Sequence, residues 1–117
     1  MLNDTQTSVA DLKNLVARFV AERNWQQFHA PKNLSMSLAI EAAELMEHFQ
    51  WIGVEESRQL KNDPQALANI GEELADVLAY ALALANELEL DVATILRDKM
   101  AKNERKYPAD EFRDRYK

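Results

Sequence analysis

The sequence predicts an all-α fold, and three observations predict it. Gly and Pro number only 2 and 3 in 117 residues, so few turns are encoded. Ala, Leu and Glu, all strong helix formers, are abundant. Apolar residues recur at three- and four-residue spacing, with few β-branched runs of period-two alternation. At 47% hydrophobic residues, the chain suits one domain spanning 1–117, a compact four- to five-helix bundle with tails at 1–7 and 109–117.

Taken in order, Ser8 followed by Asp11 reads as a helix N-cap, and Val9, Leu12, Leu15, Val16, Phe19 and Val20 follow at helical spacing. A first helix is predicted over 8–24. The next stretch, "NWQQFHAPKN", holds two aromatics, a His and Pro31, an unusual content for a plain connector and a candidate recognition surface. A second helix is predicted over 34–51, ended by Gly53. The short piece "VEESRQLKN" leads to Asp63-Pro64, an N-cap with proline at the first helical position. A long helix then spans 64–89. Asp91 caps a final helix that Pro108 closes.

Composition narrows the function classes. Cysteine is absent, which removes disulfides, thiolate metal sites and a cysteine nucleophile. The longest uncharged apolar run, 77–86, is far short of the roughly 20 residues a bilayer span needs, and no signal pattern opens the chain. These features lead to the expectation of a soluble, cytoplasmic protein without membrane partners. A net charge of −6 disfavours a sequence-independent grip on nucleic acid, which rests on clustered Lys and Arg. A polyphosphate held through a divalent cation stays compatible with that charge.

The acids are where such a cation would sit. An α-helix advances about 100° per residue. With Glu41 as origin, Leu34, Leu38, Ala42, Leu45, Phe49 and Ile52 fall on an apolar arc at roughly 20–100°. Glu41 borders that arc, and Glu44 lies about 60° to its other side with Ser37 and His48 between them. The later helix repeats the pattern: Glu73 borders the arc of Ile70, Leu74, Val77, Ala81, Leu84 and Leu88, and Asp76 stands where Glu44 stood, with Asn69 and Tyr80 between. If both arcs enter one core, four carboxylates converge at its edge. Two like charges about 4 Å apart repel by around 4 kcal/mol at an effective dielectric near 20, so a cation is expected among them. Oxygen-only donors suit Mg²⁺ or Mn²⁺, which complete their shells with water and substrate phosphates. The simpler alternative is a solvated acidic face, since Glu is a good helix former. No Lys or Arg lies within four positions of any of the four acids, so local i,i+4 pairs with them do not explain the cluster.

The final helix carries Lys99, Asn103 and Lys106 within about 60° of one another, on the side of Val92, Ile95 and Leu96. Pointed inward, they would suit terminal phosphates. A basic helix end that complements the helix dipole is the competing explanation.

These residues resemble a known family, the all-α nucleoside triphosphate pyrophosphohydrolases or MazG-like enzymes, and within it the dCTP pyrophosphatase group. The match runs from "AERNWQQFHAPKNL" through "IEAAELMEHFQW" and "GEELADVLAY" to "KMAKNERKYP". The resemblance implies that Glu41, Glu44, Glu73 and Asp76 bind Mg²⁺, with Mn²⁺ a possible substitute. It implies that Lys99, Asn103, Lys106 and Tyr107 hold phosphates, and that Trp25, His29, Trp51 and Tyr80 form the base and sugar pocket. It also implies a homo-oligomer, a dimer or a tetramer built as a dimer of dimers, with each site completed by a neighbouring subunit. One departure is visible: Ile40 and Ala43 stand where relatives often carry glycine, which bears on how closely helices approach there.

The implied reaction is hydrolysis of a (deoxy)nucleoside triphosphate, dCTP or a modified dCTP, to the monophosphate and pyrophosphate, with Glu41 or Glu44 orienting or deprotonating the water. Within the family, dUTP, phosphoribosyl-ATP or a damaged nucleotide are the alternatives. From another class, a non-catalytic helical interaction module would use the acids as a solvated stripe. A di-iron carboxylate bundle needs Glu-x-x-His on two helices, and neither His29 nor His48 has Glu three residues before it.

Overall fold

The computed structural model describes residues 3–116, and every regular element among them is helical. Helix α1 spans Val9–Glu22, a 3₁₀ turn covers Gln26–Phe28, α2 spans Pro31–Glu47, and α3 spans Val54–Gln59 with a 3₁₀ turn at Leu60–Asn62. The long α4 runs Pro64–Glu87, α5 runs Val92–Lys106, and α6 is the short Ala109–Phe112.

The helix starts follow the chemistry of their caps. Ser8 accepts from the Asp11 amide while Asp11 accepts from the Ser8 amide, a reciprocal capping box. Asp63 accepts from Gln65 and Ala66, with Pro64 at the first helical position. Asp91 accepts from the amide and hydroxyl of Thr94. Helix α2 departs from the sequence reading at both ends. It begins at Pro31 rather than residue 34, because proline at the first helical position gives up only an amide that has no helical partner. It ends at Glu47 with His48 as C-cap, so Phe49, Gln50 and Trp51 turn away from the helix. Gly53 is the N-cap of α3 rather than the stop of α2. At the C-terminal end, α6 forms within the stretch read as a tail.

Two helix ends share one geometry without glycine. After α1, Asn24 adopts φ 52°, the Asn24 amide donates to Ala21 at 3.1 Å and that of Trp25 to Val20 at 3.0 Å. After α4, Glu89 adopts φ 56°, its amide donates to Asn86 at 3.3 Å and that of Leu90 to Ala85 at 2.9 Å. Both are Schellman motifs. The first folds Trp25 back over α1, and the second sets the exit of α5.

Helix α4 is the centre of the packing, with α2 against it most extensively and α1 on another side. The sequence reading gave α4 one apolar arc, but two partners need two contact stripes. The buried residues of α4 are Ala83, toward Val16 and Val20 of α1, and Ala85, toward Leu38 of α2. Leu34 is the most deeply buried side chain. Leu38, Leu45 and Phe49 are half-buried as expected for core positions, whereas Ala42 is exposed. On α4, Leu74 and Leu88 of the expected arc are exposed too. The predicted compactness is not met by one chain: its radius of gyration is 17.1 Å, against about 13 Å for a compact 100-residue domain. Helix α5 makes no extensive contact with any other element. Its first turn helps line an apolar groove, Val92 and Ile95 beside Leu38, Leu78 and Leu82. Beyond that turn Leu96 and Met100 are exposed.

Candidate active site

The packing of α2 on α4 brings the acids together as their phase predicts. Carboxylate oxygens of Glu41, Glu73 and Asp76 lie within 4.8 Å of one another. Glu44 is not one of that trio, but its charge acts on both Glu41 and Glu73. One oxygen each of Glu41 and Glu73, both Oε2, is buried with no hydrogen-bond partner. Leaving such oxygens unpaired is costly, and a hard divalent cation is the partner an all-oxygen donor set fits.

The electrostatics agree with a cluster awaiting positive charge. The Glu41 carboxyl is pushed up to about 7, by loss of hydration first, then by its hydrogen bond with Glu44 and the charges of Glu44, Asp76 and Glu73. Glu73 is raised as well, through desolvation and then the Glu44 and Asp76 charges, with His48 acting in the opposite sense. His48, at the end of α2, therefore faces the cluster.

A cleft opens beside these acids, between α1 and α4. It is lined by Val16, Phe19, Val20, Trp25, His29, Ala79, Tyr80 and Ala83, and by Asp76 of the acidic cluster. Three of the four residues expected to meet a base thus share one wall system. Trp25 meets Phe19 edge to face with ring centroids 5.7 Å apart, and the Arg23 guanidinium lies over the Phe19 ring, 3.7 Å from its centroid. The pocket is apolar and aromatic with a few polar groups at its rim, the usual make-up of a small-molecule site.

The remaining expected residues lie elsewhere in the chain. Trp51 is 86% exposed in the turn after α2 and lines no part of the cleft. Lys99, Asn103, Lys106 and Tyr107 do come together, in a second pocket of about 520 Å³ completed by Phe112, Arg115 and Tyr116. None of the four acids borders it. Lys106 lies 5.3 Å from the Tyr107 ring centroid, Tyr107 meets Phe112 edge to face at 5.2 Å, and Arg115 stands 4.9 Å from the Phe112 centroid. Sequence reasoning missed Arg115 and Phe112, which fell in the stretch read as a tail. It also missed the part of Phe19 as a pocket wall, because its helical spacing equals that of a core position.

The geometry defines a helical scaffold that gathers acids from two helices beside an aromatic cleft. The chain belongs to the MazG-like family, whose model matches residues 36–117. It is 41% identical over 104 residues to human dCTP pyrophosphatase 1 and 40% identical over 104 residues to the bovine protein of that name, covering 89% of this chain in each case. The chain spans 62% of the bovine and 61% of the human relative's length. A pyrophosphatase from Archaeoglobus fulgidus DSM 4304, solved at 1.80 Å resolution, superposes with a TM-score of 0.75 at 40% identity. That match covers 85% of this chain and 91% of the archaeal one.

Proposed function

We propose that this protein hydrolyses a (deoxy)nucleoside triphosphate, with dCTP or a modified dCTP as the preferred substrate, to the monophosphate and pyrophosphate. The observation that carries the reading is Asp76, which belongs both to the acidic cluster and to the wall of the aromatic cleft. A base held by Trp25, His29 and Tyr80 would set its phosphates beside the acids. The names of the relatives, dCTP pyrophosphatase and pyrophosphatase, support the chemistry.

Glu41, Glu44, Glu73 and Asp76 would hold Mg²⁺, or Mn²⁺ in its place. Bound there, the cation would supply charge neutralisation for the phosphate oxygens and Lewis acidity toward the α-phosphorus. The Glu41–Glu44 pair would orient the attacking water and accept its proton. The water oxygen bonds to the α-phosphorus as the bond to the bridging oxygen breaks, and pyrophosphate departs in line with the attack.

Lys99, Asn103, Lys106 and Tyr107 would grip the departing phosphates, and Trp51 would close over the nucleotide. These groups line a separate pocket or face solvent in one chain, so the reading includes a second copy that completes the site. The exposed apolar side chains of α5 and the groove at its base support a homo-oligomer, a dimer or a tetramer built from two dimers. Among the described residues no helix is long and apolar enough to cross a membrane, which fits a cytoplasmic enzyme acting on free nucleotides.

The test is to incubate the protein with dCTP, 5-substituted dCTP, dTTP, dUTP and ATP in the presence of Mg²⁺ and to quantify pyrophosphate. The expected result is release of pyrophosphate with the highest kcat/KM on a cytosine nucleotide, abolished by chelation. Turnover of none of them would remove the enzymatic reading and leave a helical interaction module.

A further inference from the structure

Helices α1 and α4 face each other as two antiparallel stripes. Phe19 and Trp25 share the cleft wall with Asp76 and Tyr80, Val16 and Val20 share it with Ala83, and Lys13 is bonded to Asn86. Lys13, Val16 or Ala17, and Val20 are one turn apart on α1, as Asp76, Tyr80, Ala83 and Asn86 follow one another on α4. The upper wall is mostly apolar, with Asp76, Tyr80 and His29 as its polar members. The contact at the base is polar and directional. The Asn86 amide nitrogen donates to the Lys13 carbonyl at 3.0 Å, and the Lys13 ammonium donates to the Leu90 carbonyl at 2.7 Å. Lys13 also stands near Asp91, whose carboxyl is held below its usual range, chiefly by the hydrogen bonds from Thr94 and further by the Lys13 charge. One residue of α1 thus joins the end of α4 through its carbonyl and the turn before α5 through its ammonium.

We propose that Lys13 and Asn86 form a latch that fixes the register of α1 on α4 and thereby the width of the aromatic cleft, making both positioning residues for the nucleotide. The proposal rests on the cleft being the base pocket of the reading above. The carboxylates sit on α2 and α4, outside the latch, so its loss leaves them in place. Its loss frees the helix that carries Phe19 and leads into Trp25.

The experiment compares Lys13→Met, Asn86→Leu and the conservative Lys13→Arg with the parent, all with Trp51 intact for kinetics. For Lys13→Met and Asn86→Leu the expected outcome is a KM raised roughly five- to tenfold with kcat within about twofold, the scale of losing one charge-assisted or amide hydrogen bond. Mn²⁺ affinity, measured by titration, stays at the parent value, and Lys13→Arg returns KM to within about twofold of it. A second readout needs no turnover. The sequence has two tryptophans, so in a Trp51→Phe background Trp25 is the sole emitter, and its quenching by acrylamide rises when the latch is cut. Parent-like KM and quenching in folded Lys13→Met and Asn86→Leu overturn the proposal, as does a fall in kcat with KM unchanged. Lys13→Met removes the ammonium bond to Leu90 and leaves the Asn86 bond to the Lys13 main-chain carbonyl, so should Asn86→Leu fail to fold, Asn86→Ala takes its place. Should the parent hydrolyse no nucleotide, the functional reading falls, and the Trp25 quenching still decides the latch.

Discussion

The α2–α4 face and the α5–α6 end of this molecule carry opposite charges and are built in opposite ways. The acids stand on two helices locked together by the most extensive packing in the fold, and their close approach is complete within one chain. The cations stand on a helix that touches the rest through its first turn, and their pocket is ordered by neighbours a few residues away in sequence. The difference teaches that half of the proposed site is preformed by tertiary packing, while the other half is a local cassette that the proposed second copy would bring to the acids. The unpartnered buried oxygens of Glu41 and Glu73 lie on the packed half, where helix packing holds them in place.

If the acidic half is the preformed catalytic part, removing one of its charges should produce the largest effect. Glu73→Gln is expected to lower kcat/KM for the nucleotide by at least about 100-fold, with weaker Mn²⁺ binding by titration, as the loss of a direct metal ligand implies. Retention of parent-like activity would place the cation elsewhere. The cassette should respond more mildly. Lys99→Ala is expected to lower kcat/KM by roughly 10- to 100-fold, the range for one hydrogen bond to a charged group. The two variants together test the comparison itself. Mixed after co-refolding, Glu73→Gln and Lys99→Ala chains regain activity that neither has alone if one copy's cassette serves another copy's acids. Absence of recovery, with mixed oligomers verified by mass, would assign both halves to the same chain.

How much of this was legible in the sequence follows the same division. The convergence of Glu41, Glu44, Glu73 and Asp76 could be read from phase, because two long helices with apolar arcs have few ways to meet. The capping at Ser8, Asp63 and Asp91 was legible because each cap is a local hydrogen bond. Gly53 was misassigned because an isolated glycine marks a boundary without saying which helix it belongs to. Trp51 lost its helical position when α2 stopped at Glu47, and no residue type near it signalled that stop. Ala83 and Ala85 went unrecognised as buried positions on two sides of α4 because alanine appears on every side of that helix. The detachment of α5 was invisible, since an amphipathic stripe looks the same whether its partner is the same chain or another copy.

A smaller effect follows from the charge of the acidic half. Unfolded, Glu41 titrates near 4.5, and in the fold near 7. Between those values the folded state holds a proton that the unfolded state has released, so stability falls as pH rises. Below 4.5 the contribution is fully present, and above about 7 it is gone. Metal-free protein is therefore expected to lose denaturant resistance from pH 4.5 to 7, and saturating Mn²⁺ should reverse that loss at the upper end. In Glu41→Gln the slope flattens. An unchanged slope in that variant would move its origin to other groups.

The smallest expected effect lies at the joint between the two halves. Asn24 and Glu89 occupy the same left-handed position after α1 and α4, at φ 52° and 56°. Asn tolerates that conformation, whereas the Glu89 side chain has no short polar group to support it. Glycine there removes the clash of Cβ with the backbone, so Glu89→Gly is expected to stabilise by about 1 kcal/mol despite the extra freedom it gives the unfolded chain. For a domain of this size that is a rise of several degrees in Tm, measured at fixed protein concentration because assembly also shifts Tm. Asn24→Gly should gain only a few tenths of a kcal/mol. The glycine at 89 keeps the Leu90 carbonyl facing Lys13, so KM should stay at the parent value while Tm rises. A raised KM with a raised Tm would mean that the rigidity of this turn, beyond its shape, holds the two halves in register.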